Sequence, residues 1–155
     1  MKIILEGCDG TGKTTLAKKL AEKYGLDICH CTNIDPKDYD FYRQTSRKEN
    51  VVWDRHTIGE LIYPEIFGRK QEISSEDARL VVMHGREEGL KFLVLTADND
   101  VIKERINARG HEFNAVLNNI EKINDKFKFY AQAFNIPVID TSKVSFEEIC
   151  NIIEN

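Results

Sequence analysis

The hydrophobic positions of the chain form five short apolar runs separated by longer amphipathic stretches. The runs cover residues 2–6, 26–30, 51–53, 92–95 and 136–139. Runs of this kind, without alternation of polar residues, are typical of parallel strands buried on both faces. The alternation of these strands with helices predicts an α/β fold, in which a five-stranded parallel sheet is flanked by helices in three layers.

The stretches between the runs begin with residues that commonly start helices. These starts are Asp35-Pro36, Thr57-x-x-Glu60, Ser74 or Ser75, Asp98 and Ser145-x-x-Glu148. We therefore expect helices over 13–24, 36–47, 57–63, 75–88, 98–109 and 112–134, and a last helix after Ser145. The two Ser/Thr-x-x-Glu patterns predict capping boxes.

A glycine-rich turn joins the first strand to the first helix. Residues 7–14, Gly-Cys-Asp-Gly-Thr-Gly-Lys-Thr, match the phosphate-binding loop G-x-x-x-x-G-K-[ST] in its expected strand–helix context. Its amides can surround a polyphosphate, with Lys13 on the β- and γ-phosphates and the Thr14 hydroxyl on Mg²⁺. The alternative is a chance glycine turn. We assign binding of a nucleoside triphosphate with Mg²⁺ to Gly7, Asp9, Gly10, Thr11, Gly12, Lys13, Thr14 and Thr15.

Composition limits the class of protein. The 155 residues, 41% of them hydrophobic, suit one globular domain over 1–155. No apolar run approaches the length of a membrane span and no signal peptide is visible, so we expect a cytoplasmic protein without membrane association. The four cysteines lack metal-ligand spacing. The net charge of -4 argues against binding of long nucleic acids.

Asp54-Arg55 follows the third strand, at the sheet edge where ligands of parallel sheets bind. The Asp54 carboxylate could hold the Mg²⁺ shell, or orient or deprotonate an attacking hydroxyl. Arg55 offers a planar fork for phosphate oxygens. The alternative is a surface turn that leads into a helix. Together with the phosphate loop, the pair favours phosphoryl transfer.

Arg105 and Arg109 share one helix face before Gly110 and could form a lid over about 103–113 that closes on the transferring phosphate. The alternative is a pair of solvated arginines bonded to Glu104 or Glu112. Asp9 would be repelled by a polyphosphate, so we expect it to face an acceptor. A local Asx turn is equally compatible with its position.

An acceptor-binding part is expected over about 32–50. Tyr39, Tyr42 and Arg43 could contact a nucleobase by stacking and hydrogen bonding, although core packing would explain the aromatic residues equally well. His56 could touch the acceptor or lead into the next helix.

Several of these segments, in the same order along nearly the whole chain, resemble thymidylate kinases. Glu6-Gly7-Cys8-Asp9-Gly10-Thr11-Gly12-Lys13-Thr14-Thr15 is similar to their signature E-G-x-D-G-x-G-K-[ST]-T. The strand ending in Asp54-Arg55-His56, the segment Arg105-x-x-x-Arg109-Gly110 and Val138-Ile139-Asp140-Thr141-Ser142 resemble later family segments. The stretch 54–64, which begins with Asp-Arg-His, is also similar to herpes-type thymidine kinases. The chain length and the run Gly59-Glu60-x-x-Tyr63-Pro64 resemble short phage-encoded deoxynucleotide kinases.

The resemblance implies a P-loop kinase that uses ATP and Mg²⁺. Lys13, Thr14 and Thr15 would hold ATP-Mg, with Thr14 and Asp54 at the metal. Asp9 would lie near the acceptor sugar and Arg55 would hold the acceptor phosphate. The catalytic residues would be Lys13, Asp54, Arg55, Arg105 and Arg109. A family Arg-Glu-Pro motif is missing. A homodimer is possible, because thymidylate kinases often form one.

The expected reaction is phosphoryl transfer from ATP to a deoxynucleoside monophosphate, dTMP or a related pyrimidine nucleotide. Nucleoside kinases place an acidic base at the end of their second strand. In the corresponding residues 28–35 of this chain, only Asp35 is acidic. This favours an acceptor that is already phosphorylated. The alternatives are a deoxynucleoside kinase, a polynucleotide 5′-kinase and a non-catalytic ATP-binding regulatory module.

Overall fold

The computed structural model describes residues 1–32, 34–110 and 114–155. Within these ranges five strands form one sheet: β1 (Lys2–Gly7), β2 (Asp27–His30), β3 (Val51–Asp54), β4 (Leu90–Thr96) and β5 (Val138–Asp140). The strand order is β2-β3-β1-β4-β5, and the pairings between the described strands are parallel. The predicted α/β fold with a five-stranded parallel sheet is confirmed.

Eight helices lie in the described ranges. They are α1 (Lys13–Tyr24), α2 (Tyr39–Thr45), α3 (Gly59–Phe67), α4 (Ser75–Glu87), α5 (Asn99–Ala108), α6 (Asn114–Leu117), α7 (Ile120–Ala133) and α8 (Phe146–Glu154). The predicted bounds of α1 are confirmed. So is the capping box of α8, in which Ser145 and Glu148 exchange hydrogen bonds.

A separate hydrophobic core fills each face of the sheet. On one face, Leu16, Leu20 and Ile153 from α1 and α8 pack against the strands. On the other face lies the larger core, to which α2 through α7 contribute residues such as Ile62 and Phe127. Helices therefore cover both faces, which explains why the strands are apolar without alternation.

The second helix starts later than predicted. Asp38, not Asp35, accepts a hydrogen bond from the amide of Phe41 at its N-terminus. The Asp35 carboxylate instead accepts hydrogen bonds from the amide and hydroxyl of Thr32, at 2.7 and 2.8 Å. Asp35 therefore closes the preceding turn and does not cap the helix.

The predicted capping box at Thr57 and Glu60 is wrong. The Thr57 hydroxyl lies 2.6 Å from Nδ1 of His56, and the Glu60 carboxylate binds both terminal nitrogens of Arg69 at 2.8 Å. Both polar side chains are buried, so tertiary partners have replaced the local capping bonds.

The predicted helix over 112–134 is two helices. The chain turns between α6 and α7 at Asn118 and Asn119, and the side-chain Nδ2 of Asn119 donates to the carbonyl of Ala115 at 2.7 Å. Asparagine side chains compete with the backbone for such bonds, which explains the break. Residues 111–113, the end of the predicted lid and the start of this predicted helix, lie outside the described residues.

Within the described part of the chain, the structure contains no helix that is both long and apolar enough to cross a membrane.

Candidate active site

The polar segments that follow the strands meet at one edge of the sheet. The phosphate loop follows β1, Asp54-Arg55 ends β3, and Thr141 follows β5. Because β1 is the central strand, the loop lies between the β3 side and the β4–β5 side of the sheet. This is the edge at which open parallel sheets bind ligands.

Glycine is required at two positions of the loop. Gly7 has a φ of 139°, and a Cβ there would collide with the carbonyl of Leu95 on the neighbouring strand. Gly10 has a φ of 80°, and its Cβ would lie 3.0 Å from the carbonyl of Ile102 in α5. These close contacts hold the loop against β4 and α5 in a conformation that suits anion binding.

Lys13 lies folded beneath the loop. Its Nζ donates hydrogen bonds to the carbonyls of Gly7 and Cys8 at 2.7 and 2.8 Å, and the side chain is buried. Burial lowers the pKa of this ammonium group and nearby Arg55 adds to the effect, whereas the carboxylates of Asp9 and Asp54 oppose it. A desolvated cation in this position interacts strongly with a phosphate.

Thr14 and Asp54 lie together, as predicted for the metal site. The Thr14 hydroxyl donates to Oδ2 of Asp54 at 2.6 Å, and Asp54 is nearly buried. A hydroxyl and a carboxylate are hard oxygen ligands, which fit Mg²⁺. Nδ1 of His30, at the end of β2, lies 3.6 Å from the same carboxylate oxygen.

Asp9 and Arg55 form an ion pair across the loop. Arg55 has a φ of 74°, which is unusual for a residue other than glycine. Its guanidinium also lies over the ring of Tyr63, 5.9 Å from the centroid. Asp9 therefore faces away from the phosphate nest, toward the β3 side of the loop.

A cavity of about 440 Å³, here called the α8 cavity, lies on the β5 side of the loop. Its lining includes Gly12, Thr15, Lys19, Arg105, Thr141 and Phe146. Arg105 donates to the carbonyl of Gly10 at 3.2 Å and to the Thr141 hydroxyl at 3.0 Å. The predicted lid arginine is thus bonded to the loop itself in this structure.

A larger cavity of about 800 Å³, here called the α3 cavity, lies on the β3 side. Its charged lining includes Asp9, Lys37, Arg55, Glu60, Arg69 and Lys70, while Tyr63 and Phe67 form part of the apolar wall. Both volumes lie in the range of small-molecule sites.

Arg109 contributes to the walls of both cavities. It directly follows α5. Of the two predicted lid arginines, Arg105 lines the α8 cavity and Arg109 lines both.

Two of the three aromatic and basic side chains predicted to contact a base lie elsewhere. Arg43 forms a paired contact with Glu88 at 2.8 and 3.3 Å, and the Tyr39 hydroxyl lies 3.4 Å from Nδ1 of His84. Neither is among the described residues that line the α3 cavity. Tyr42 does line it, although the side chain is almost fully buried and also belongs to the core.

Sequence reasoning missed most of the α3 cavity. The largest share of its wall comes from α3 and the segment after it, including the Glu60–Arg69 pair, and a smaller share comes from 32–50. His56 lines it as a buried side chain, 2.8 Å from the Thr45 hydroxyl, and burial lowers its pKa to about 3. The Glu60–Arg69 pair carries no motif, so no signal in the sequence marked it.

The AAA domain family matches residues 3–124, which is more than half of the chain and includes the phosphate loop and Asp54-Arg55. The chain belongs to this AAA domain family. Curated relatives extend the similarity beyond the matched residues. A probable thymidylate kinase of Methanocaldococcus jannaschii is 24% identical, covering 99% of this chain and 93% of that protein. Cytidylate kinase 2 of Borreliella burgdorferi is 27% identical, covering 100% and 94%.

Solved structures share the fold of this AAA domain protein. YorR of Bacillus subtilis, solved with phosphorylated GDP, has a TM-score of 0.81 at 24% identity and covers 99% of this chain and 94% of its own. Deoxyadenosine kinase of M. mycoides, solved with dCTP, has a TM-score of 0.64 at 17% identity and covers 99% of both chains. The resemblance to P-loop nucleotide kinases is confirmed.

Proposed function

We propose that the protein is a nucleotide kinase that transfers the γ-phosphoryl group of ATP-Mg to a deoxynucleoside monophosphate, dTMP or a related pyrimidine nucleotide. The observation that carries this proposal is the pair of cavities on opposite sides of the phosphate loop, with Arg109 in the walls of both. In-line transfer between two bound nucleotides needs this arrangement.

The α8 cavity is the proposed site of the nucleoside of ATP. From it, the triphosphate would follow the loop amides, with Lys13 on its terminal phosphates and Thr14 and Asp54 holding Mg²⁺. The metal would neutralise phosphate charge. Arg109 would stabilise the transferring group from the boundary of the two cavities, where charge develops in the transition state.

The α3 cavity is the proposed acceptor site, and its charges favour an acceptor that already carries a phosphate. Lys37, Arg55, Arg69 and Lys70 all line it. Arg55 is partly exposed and reaches Asp9 beside the loop, so it is the proposed holder of the acceptor phosphate. An ionised phosphate needs no general base to become a nucleophile. The curated relatives, which include kinases named for thymidylate, adenylate and cytidylate, support a monophosphate acceptor.

Phosphorylation of a deoxynucleoside is the second candidate, and one observation favours it. His30 lies within 3.6 Å of the Asp54 carboxylate at the carboxyl edge of the sheet. An imidazole oriented by a carboxylate can deprotonate a hydroxyl group. Asp35, the acidic residue considered for this role from the sequence, is bonded to Thr32 instead.

The test is ADP release from ATP-Mg against a panel of deoxynucleosides and their 5′-monophosphates. The panel includes guanine nucleotides, because YorR was solved with phosphorylated GDP. We expect strong stimulation by dTMP or another pyrimidine monophosphate. Stimulation by thymidine but not dTMP would support the second candidate. A response only to oligonucleotide ends, or ATP hydrolysis that no acceptor changes, would contradict both.

Lys13→Ala tests whether the release depends on the loop. Removal of the buried ammonium should lower kcat by at least about 100-fold, since charge stabilisation of this kind is worth several kcal/mol. Lys18→Ala is the matched control, because Lys18 lies on the exposed side of the same helix. Equal activity of Lys13→Ala and the wild type would contradict the proposed function.

A further inference from the structure

Glu6 is a buried carboxylate that the proposed reaction does not use. It is the residue before the phosphate loop, in β1, and only 1% of it is exposed. Its Oε1 accepts a hydrogen bond of 2.6 Å from the amide of Ile58, the residue that precedes α3. Its Oε2 has no hydrogen-bond partner among the described residues. Buried carboxylates are costly, so one in this position needs an explanation.

The Glu6–Ile58 hydrogen bond supplies the cap that α3 lacks at its own N-terminus. The residue at the N-terminal cap position is Ile58, whose side chain cannot accept a hydrogen bond. Helix N-termini present unpaired amides and a partial positive charge, which a carboxylate satisfies. Glu6 provides this carboxylate from a strand 52 positions away in the sequence. Gly59 packs close to Oε2, where a Cβ would lie 3.7 Å from that oxygen.

Helix α3, whose start is bonded to Glu6, forms part of the wall of the α3 cavity. Gly59, Glu60, Tyr63 and Phe67 of α3 all line this cavity. Glu6 itself is not among the described lining residues, so it would act through α3 and not by touching a ligand.

We propose that Glu6 is a positioning residue that fixes helix α3, on the acceptor side, to the strand that precedes the phosphate loop. It thereby keeps the wall of the acceptor site in a fixed position relative to bound ATP. This inference rests on the proposed function, because the α3 cavity is the proposed acceptor site. It predicts that loss of the Glu6–Ile58 bond weakens acceptor binding and leaves ATP binding unchanged.

Glu6→Met tests the contact, because methionine keeps the length of the side chain and removes the hydrogen-bond acceptor. We expect the KM of the acceptor nucleotide to rise about tenfold, as for the loss of one buried hydrogen bond that leaves the Ile58 amide without its partner. The KM of ATP should change less than about twofold, since α3 does not line the α8 cavity and the Lys13 ammonium is held by the carbonyls of Gly7 and Cys8. Glu6→Gln keeps an oxygen that can accept from Ile58 and should restore the acceptor KM.

Hydrogen exchange of the backbone amides gives a readout that does not depend on activity. The amides at the start of α3 should exchange faster in Glu6→Met than in the wild type, while those of Glu6→Gln should stay protected. Ile153→Ala is the control for general destabilisation, because it opens a cavity in the core on the opposite face of the sheet. It should lower the thermal midpoint without changing the acceptor KM.

The outcomes separate this inference from the proposed function. A wild type without kinase activity overturns the proposed function, and the exchange experiment still tests the link between Glu6 and α3. If the wild type is active, an unchanged acceptor KM in Glu6→Met overturns the inference. An equal rise of the KM values of acceptor and ATP in Glu6→Met would assign Glu6 to general stability and overturn the inference as well. So would an acceptor KM in Ile153→Ala that rises as much as in Glu6→Met.

Discussion

At the scale of single residues, the acidic groups of the site differ in what surrounds them. Asp9 is paired with Arg55 at the mouth of a cavity, and Asp54 accepts from Thr14 where it could serve a metal. Glu6 lies fully buried, and desolvation raises its pKa to about 7 although the amide of Ile58 and the charge of Lys13 oppose the shift. Environment, more than residue type, therefore separates three roles for three carboxylates.

The raised pKa of Glu6 predicts a pH dependence of stability. Between its ordinary pKa of 4.5 and about 7, folded Glu6 holds a proton that the unfolded chain has lost. The contribution of this group to the free energy of unfolding should therefore fall as pH rises through this window, by up to about 3 kcal/mol. The ionisable groups that interact electrostatically with Glu6 include Lys13, Arg55, Cys31 and Tyr42.

Urea unfolding of the wild type and Glu6→Gln at pH 5 and pH 8 measures this contribution. From pH 5 to pH 8, the free energy of unfolding of Glu6→Gln should increase relative to that of the wild type. Parallel pH profiles would show that burial does not shift the pKa of Glu6.

Substitution of Arg43 tests its placement outside the α3 cavity. Its guanidinium is bonded to Glu88 on α4, and its side chain is 11% exposed. We expect Arg43→Gln to leave the KM of the acceptor nucleotide unchanged. It should lower the free energy of unfolding by about 1 kcal/mol, the upper part of the range for such pairs. A tenfold rise in the acceptor KM would return Arg43 to the acceptor site.

At the scale of elements, helix α5 serves both cavities. Arg105 lies within it and is bonded to Gly10 and Thr141, whereas Arg109 directly follows it and lines both cavities. Spacing of four residues puts both arginines on one helix face, as the sequence predicted. Their different contacts predict different kinetic roles.

Alanine substitution at each position should separate these roles. We expect Arg105→Ala to raise the KM of ATP about tenfold with little change in kcat, since it removes a binding contact. Arg109→Ala should lower kcat about 1000-fold, as for an arginine that stabilises transferring charge. Arg79→Ala, which removes an exposed arginine paired with Glu76 on α4, should change neither. Similar effects of the two cavity variants on KM alone would contradict the assignment.

Elements whose signals are local could be predicted from the sequence, and those set by tertiary contacts could not. Helix α1 and the capping box of α8 depend on periodicity and neighbouring caps, and both were predicted correctly. The start of α3 was not, because its cap comes from Glu6 in β1. The start of α2 was wrong because Asp35 and Asp38 are both plausible caps, and only the turn at Thr32 decides between them.

At the scale of the whole molecule, strand order explains why the site has two sides. With β1 in the centre, the phosphate loop has β3 and β2 on one side and β4 and β5 on the other. The alternation of apolar strands and helices predicted the fold, and the phosphate loop motif predicted the loop and the neighbouring Thr14–Asp54 contact. The wall of the α3 cavity, the proposed acceptor site, could not be predicted, because it includes Glu60, Arg69 and their neighbours, which carry no motif and meet only in the folded chain.

The most direct measurement follows the labelled γ-phosphoryl group of ATP in the presence of Mg²⁺ and dTMP, with the other pyrimidine monophosphates in parallel. We expect the label to appear in a nucleoside diphosphate made from the acceptor, and Arg109→Ala to slow its appearance greatly. Release of the label only as inorganic phosphate, at a rate that no nucleotide acceptor changes, would contradict the proposal that the two cavities hold a donor and an acceptor.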